Sequence, residues 1–120
     1  MPTLIACLST GKGTWTEVTQ LIQSQPWDKV FLITNAFGQE KFTLKDGNIS
    51  FVLLDSCQNV SEAITHIKKQ LDGKITDFEV GLNFVSGTGE EHTAVLQAVM
   101  ELGLNFRLVG VDQNGQMQVF

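Results

Sequence analysis

The chain has 120 residues, an apolar fraction of 42%, two prolines and a net charge of −5. That length is one domain, residues 1–120, able to bury roughly two thirds of its extended surface and fold without staples, and the composition leaves little room for disorder. Arg107 is the only arginine and the lysines are scattered, which argues against a broad surface for double-stranded nucleic acid and still allows one phosphate-bearing ligand in a local pocket.

The opening run Met1 to Leu8 has no basic start and is too short for a secretory signal, and no later stretch approaches a membrane span. A cytoplasmic protein with no membrane partner is expected. Thr3 to Leu8 is continuously apolar, as suits a strand buried on both faces, and it ends in Ser9-Thr-Gly-Lys-Gly-Thr14. A helix should follow, because Thr14 and Glu17 have capping-box spacing and Trp15, Val18, Leu21 and Ile22 share one face. It should stop before Pro26, since the residue preceding a proline is pushed out of the helical region.

Lys29 to Thr34 reads as a second buried strand. Asn35-Ala-Phe-Gly38 looks like a strand-to-loop turn, Asp46-Gly47 marks another turn, and Phe51 to Leu54 is the third strand. Asn59 and Glu62 repeat the cap spacing ahead of the clearest amphipathic helix, whose apolar stripe is Val60, Ala63, Ile64, Ile67 and Leu71. Asp72-Gly73 ends it. Cys7 and Cys57 have neither CxxC nor metal spacing and read as two unpaired thiols.

Phe78, Val80, Leu82 and Phe84 alternate along a fourth strand whose other face carries Glu79, Gly81 and Asn83. It runs into Ser86-Gly-Thr-Gly89, where Thr88 and Glu91 give a third capping box. The helix from about Glu90 to Leu102 is apolar over most of its circumference, so it should be covered on two sides. One is the sheet; the other is either a second subunit or a neighbouring helix or loop. Phe106 to Val111 is a fifth strand, Gln113-Asn-Gly115 a hairpin turn, and Met117 to Phe120 an antiparallel return.

Strands alternating with helices and closing in a hairpin indicate an α/β three-layer, Rossmann-like sandwich with a mostly parallel sheet and an antiparallel C-terminal hairpin. Right-handed crossovers favour strand order 3-2-1-4-5-6. The first and fourth strands are then neighbours, and their turns, Ser9 to Thr14 and Ser86 to Gly89, meet at the switch point where ligands bind. Candidate ligand-binding residues are Ser9, Thr10, Gly11, Lys12, Gly13, Ser86, Gly87, Thr88 and Gly89, with Asn35 on the same rim and His92 in the first turn of the last helix.

Known phosphate loops do not fit. A P-loop needs serine or threonine where Gly13 stands and glycine where Ala6 stands, and the dinucleotide fingerprint needs a third glycine at Thr16 or His92. Lys12 suits a phosphate or a solvated loop equally, and His92 suits a general base or an ordinary helix start. No catalytic triad, metal set or cofactor motif is assembled by spacing.

The two turns with their strands resemble the CRISPR-associated Rossmann fold (CARF) family, sensor domains for cyclic oligoadenylates. In that family a first strand ends in a Ser/Thr-containing turn, as in Leu4-Ile-Ala-Cys-Leu-Ser-Thr-Gly11. A later strand ends in an Asn-x-Thr/Ser-Gly-Gly-Thr-Lys type turn, to which Asn83-Phe-Val-Ser-Gly-Thr-Gly89 is similar. Where the family often has a basic residue after that turn, this chain has Glu90-Glu91. The resemblance implies a symmetric homodimer whose crevices join around one cyclic oligoadenylate. In ring nucleases of the family, a ribose 2′-hydroxyl attacks the adjacent phosphodiester without a metal. The catalytic roles implied here fall on Ser9, Lys12 and Ser86, with Thr10 and Thr88 supporting. Two alternatives stand beside it: an enzyme acting on an ordinary nucleotide or sugar phosphate, and a non-catalytic interaction module.

Overall fold

A computed structural model describes residues 2–8 and 12–120, with Lys12 described by its backbone alone. The strands are β1 (Thr3–Cys7), β2 (Lys29–Thr34), β3 (Ile49–Leu53), β4 (Glu79–Asn83), β5 (Asn105–Val111) and β6 (Met117–Val119). The helices are α1 (Trp15–Gln23), α2 (Ala36–Lys41), α3 (Val60–Leu71) and α4 (Gly89–Glu101), and a short 3₁₀ turn (Lys12–Thr14) precedes α1. The sheet order is 3-2-1-4-5-6, parallel from β3 to β5, with β6 antiparallel on the edge. This is the α/β, mostly parallel arrangement expected from the alternation of elements.

Two apolar layers sandwich the sheet, because alternate residues of a buried strand point to opposite faces. Ile5, Cys7, Val80 and Leu82 face α3 and α4, while Leu4, Ala6, Val30 and Leu32 face α1. On the α1 face, Trp27 donates its indole N–H to the Leu21 carbonyl (3.0 Å) and lies across β4 at Gly81. A Cβ at Gly81 would stand 3.2 Å from that ring, so the missing side chain is what seats the indole on the sheet.

The second flank of α4 is covered within the chain. Ala94, Val95, Ala98 and Val99 are buried in the layer shared with Ala63, Ile67 and Leu71 of α3, leaving Met100 as an exposed large apolar side chain on α4.

Three expectations change. Thr14 does not cap α1 with its side chain: at φ −105°, ψ 1° it lies outside the extended region a capping residue needs, and the 3₁₀ turn feeds the helix directly. Phe78 is not part of the alternation, since β4 begins at Glu79 and the ring is 93% exposed. Residues 36–41 form a helix, not a loop. Asn35 Oδ1 accepts the Gly38 amide (2.9 Å), and Phe42, at the end of that helix, fills the α1 layer edge-on against Trp15.

Candidate functional site

The centre of the sheet fixes where the site lies. β1 pairs with both β2 and β4, with Ala6 opposite Leu32 and Asn83, so the three carboxyl ends are adjacent. Buried side chains tie them. Thr34 Oγ1 donates to the Leu8 carbonyl (3.1 Å), and Asn83 Nδ2 donates to the Val109 carbonyl (2.9 Å) while its Oδ1 accepts the Val85 amide (3.2 Å). Asn83 is thus a satisfied buried amide that holds the end of β4 against β5 and starts the turn.

Gly87 is the pivot of that turn. Its φ of 99° is one that side-chain-bearing residues rarely adopt, and a Cβ there would lie 2.9 Å from Cys7 Cβ and 3.2 Å from His92 Nε2. Packing therefore accounts for this glycine. Gly89 differs: its φ is ordinary and, among the described residues, nothing stands within 4 Å of where its Cβ would be, so the first turn of α4 is open to an approaching group. Gly13, at the other turn, is open in the same way.

Thr88 and Glu91 close a complete capping box. Thr88 Oγ1 accepts the Glu91 amide (3.1 Å), and the Thr88 amide donates to Glu91 Oε1 (2.7 Å). His92 stacks on Phe84 at 4.8 Å, with Nε2 2.7 Å from the Ser86 carbonyl. Because a carbonyl only accepts, Nε2 carries the proton in this contact. Ser86 itself is buried (2% exposed). Both residues support the turn from within.

A cavity of about 310 Å³ opens beside the turn on the α3–α4 face. Leu54, Cys57, Val60 and Ala63 supply apolar lining, and Asn35, Gln58, Asn59, Thr88, Glu90 and Glu91 supply polar lining. Among the described residues its carboxylates are Glu90 and Glu91, and no lysine or arginine side chain lines it. Glu91 is engaged in the cap, whereas Glu90 is exposed at the start of α4. The two carboxylates disfavour a phosphate placed against them.

Of the candidate residues, the structure brings Asn35 and Thr88 into this cavity and places Ser86, Gly87, Gly89 and His92 in the adjoining turn and helix. Ser9, Thr10 and Gly11, and the side chain of Lys12, lie outside the described residues. Glu90, Gln58 and the loop from Leu54 to Asn59 were not singled out as ligand-facing by sequence reasoning. The Asn59–Glu62 cap was the available signal, since it marks a second helix N-terminus on the face where α4 begins.

Burial pushes the Cys7 thiol well above its ordinary range, with the Glu91 carboxylate adding to the shift, so Cys7 is a packing group and not a nucleophile. Among the described residues, no cluster of His, Cys, Asp and Glu could hold a metal ion, and no helix is long and apolar enough to cross a membrane. Compared with protein-family models and with the sequences of curated proteins, the chain matches none.

Proposed function

We propose that this chain is a cytoplasmic CARF-type domain that binds a cyclic oligoadenylate at the carboxyl ends of β1 and β4, as a homodimer whose two crevices face one ring. The observation that carries the reading is the central β1–β4 pairing. It puts the carboxyl ends of these strands side by side, and among the described residues Gly13 and Gly89 are both open at the Cβ position. Backbone amides at the start of α4 then offer donors to a phosphodiester that comes close to the chain. Free Cys7 and Cys57 fit a reducing compartment.

Ring opening by 2′-hydroxyl attack is a second reading of the same crevice. It depends on in-line positioning and on donors aimed at the developing charge. Of the three residues suited to that work, Ser86 is buried beneath the turn, which favours binding over turnover and leaves Ser9 and Lys12 as the groups to test.

Thermal unfolding with cyclic tri-, tetra- and hexaadenylate tests the reading. A ring present at a hundredfold over its Kd stabilises by about 2.7 kcal/mol, on the order of ten degrees in Tm for a chain of this size. No shift with any ring ends the proposal, and stabilisation by mononucleotides alone moves it to an ordinary nucleotide-binding enzyme. Sedimentation gives the oligomeric state, and resolving the products of a labelled ring separates binding from cleavage.

A further inference from the structure

The cavity beside the turn has a donor and acceptor pattern of its own. Asn35 Oδ1 is taken by the Gly38 amide, Asn59 Oδ1 by the Glu62 amide and Glu91 Oε1 by the Thr88 amide. Among the described residues, the carboxylate of Glu90, the Nδ2 amide N–H₂ of Asn35 and the side-chain amide of Gln58 line the cavity with no hydrogen-bond partner. An anionic acceptor and neutral amide donors thus share one cavity, and Leu54, Val60 and Ala63 give it an apolar lining.

A flat heterocycle with an exocyclic amine beside a ring nitrogen satisfies this pattern. The amine donates to Glu90, the ring nitrogen accepts from an amide N–H₂, and the π-faces lie on the apolar lining. A phosphate in the same place is disfavoured by the Glu90 carboxylate. A volume of about 310 Å³ lies at the small end of ligand sites, enough for a base rather than a whole nucleotide.

We infer that this cavity is the adenine-reading subsite of the crevice, with Glu90 the specificity-determining residue that accepts the exocyclic amine. The inference rests on the proposed binding of a cyclic oligoadenylate. It divides the ligand between two neighbouring places: phosphodiester on the amides at the start of α4, base in the carboxylate-lined cavity. The acidic pair following the second turn then has two separate duties, Glu91 in starting the helix and Glu90 in reading the base.

The test is binding of cyclic tetra- and hexaadenylate compared with the same rings carrying purine, in which hydrogen replaces the amine. Both are measured by calorimetry on the full chain and on Glu90→Gln. Glu90 is exposed outside the capping box, so the substitution leaves the fold intact, as an unchanged Tm without ligand verifies. The wild type should prefer adenine rings by on the order of tenfold or more, the effect of a hydrogen bond to a charged acceptor. In Glu90→Gln that preference should fall to within about threefold, an uncharged acceptor forming the weaker bond. If Glu90 only repels phosphate, the variant binds both rings more tightly and keeps the ratio, which overturns the inference. Equal binding of the two rings by the wild type also overturns it. Failure of the wild type to bind any adenine ring overturns the parent reading as well, so the two failures are told apart.

Discussion

The turn between β4 and α4 and the loop between β3 and α3 each deliver a strand into a helix on the same face of the sheet. Both start that helix with a side-chain cap paired to a glutamate three residues on. They differ in what lies beneath them. The turn is short and rests on the core, with Gly87 against Cys7, Ser86 buried, and His92 bonded to the Ser86 carbonyl. The loop is longer and mostly exposed. Its fixed points are exposed hydrogen bonds, with Asp55 Oδ1 accepting the Ala36 amide at the start of α2 (2.9 Å) and Glu62 accepting the Gln58 backbone amide (3.3 Å). One wall of the cavity is therefore set by the core and the other by surface hydrogen bonds, so shape is fixed on the α4 side and adjustable on the α3 side.

Gly87→Ala should break the rigid wall. The substitution forces a side chain into a φ of 99° and against Cys7 Cβ. Strain and overpacking together cost on the order of 3 kcal/mol, read as a fall in the urea midpoint. Gly89→Ala is the control: with ordinary φ and open space, it should hold or slightly raise stability while hindering a ligand that approaches the α4 amides. Equal destabilisation by the two changes would sink the distinction between them.

Removing the caps sharpens the comparison. Thr88→Ala and Asn59→Ala should each cost about 1 kcal/mol, with the larger loss at Asn59, whose side chain accepts the Glu62 amide at 2.9 Å and donates to the Glu62 carboxylate at 3.3 Å, against the single 3.1 Å bond that the Thr88 hydroxyl accepts from Glu91. Equilibrium unfolding of the two variants checks the order.

The thiols give a third contrast. Cys57 lines the cavity on the adjustable wall and Cys7 sits fully buried under the rigid one. A maleimide should label Cys57 in the folded protein and Cys7 only on unfolding, and a ring ligand should slow the first reaction. The raised Cys7 pKa adds a pH effect of defined sign. Its contribution is fully present below the ordinary thiol value near 9 and is lost as pH rises beyond it, because the unfolded thiol ionises first. Midpoints at pH 7 and pH 10 for the wild type and Cys7→Ala measure it.

How legible this was depended on what kind of signal each residue carried. The strand order followed from apolar runs and short crossovers, and the caps at Asn59 and Thr88 from a residue pattern that acts locally. The helix at 36–41 was hidden because it is one short segment held by tertiary contacts: Asn35 caps it, Gly38 fits against Thr34, where a Cβ would lie 1.9 Å from Oγ1, and Phe42 is drawn into the core. Phe78 misled because alternation cannot show where a strand begins. In the site, the glycines at 87 and 89 look alike in sequence, and only the neighbours of each separate a packing glycine from an open one. Glu90 read as an obstacle to phosphate until the cavity gave its carboxylate a different neighbourhood.

The smallest effect concerns the link between the two helices whose N-termini flank the cavity. Lys68 of α3 and Glu101 of α4 pair at 2.9 Å, and Gln97 Nε2 donates to the other carboxylate oxygen (2.8 Å). The hydrogen bond from Lys68, then that from Gln97, and the Lys68 charge hold the Glu101 carboxyl below its ordinary value. A lowered folded-state pKa stabilises above the unfolded carboxyl value of 4.5 and is lost as pH falls through the folded one. The pair is exposed, so salt screens it and its contribution is small. Glu101→Gln should therefore lower the unfolding midpoint slightly at pH 7 in low salt, and the difference from wild type should vanish both at high salt and at a pH below the folded carboxyl value. A difference that survives both conditions means that Glu101 joins α3 to α4 by packing, and the adjustable wall is then tied to the rigid one more firmly than a screened ion pair allows.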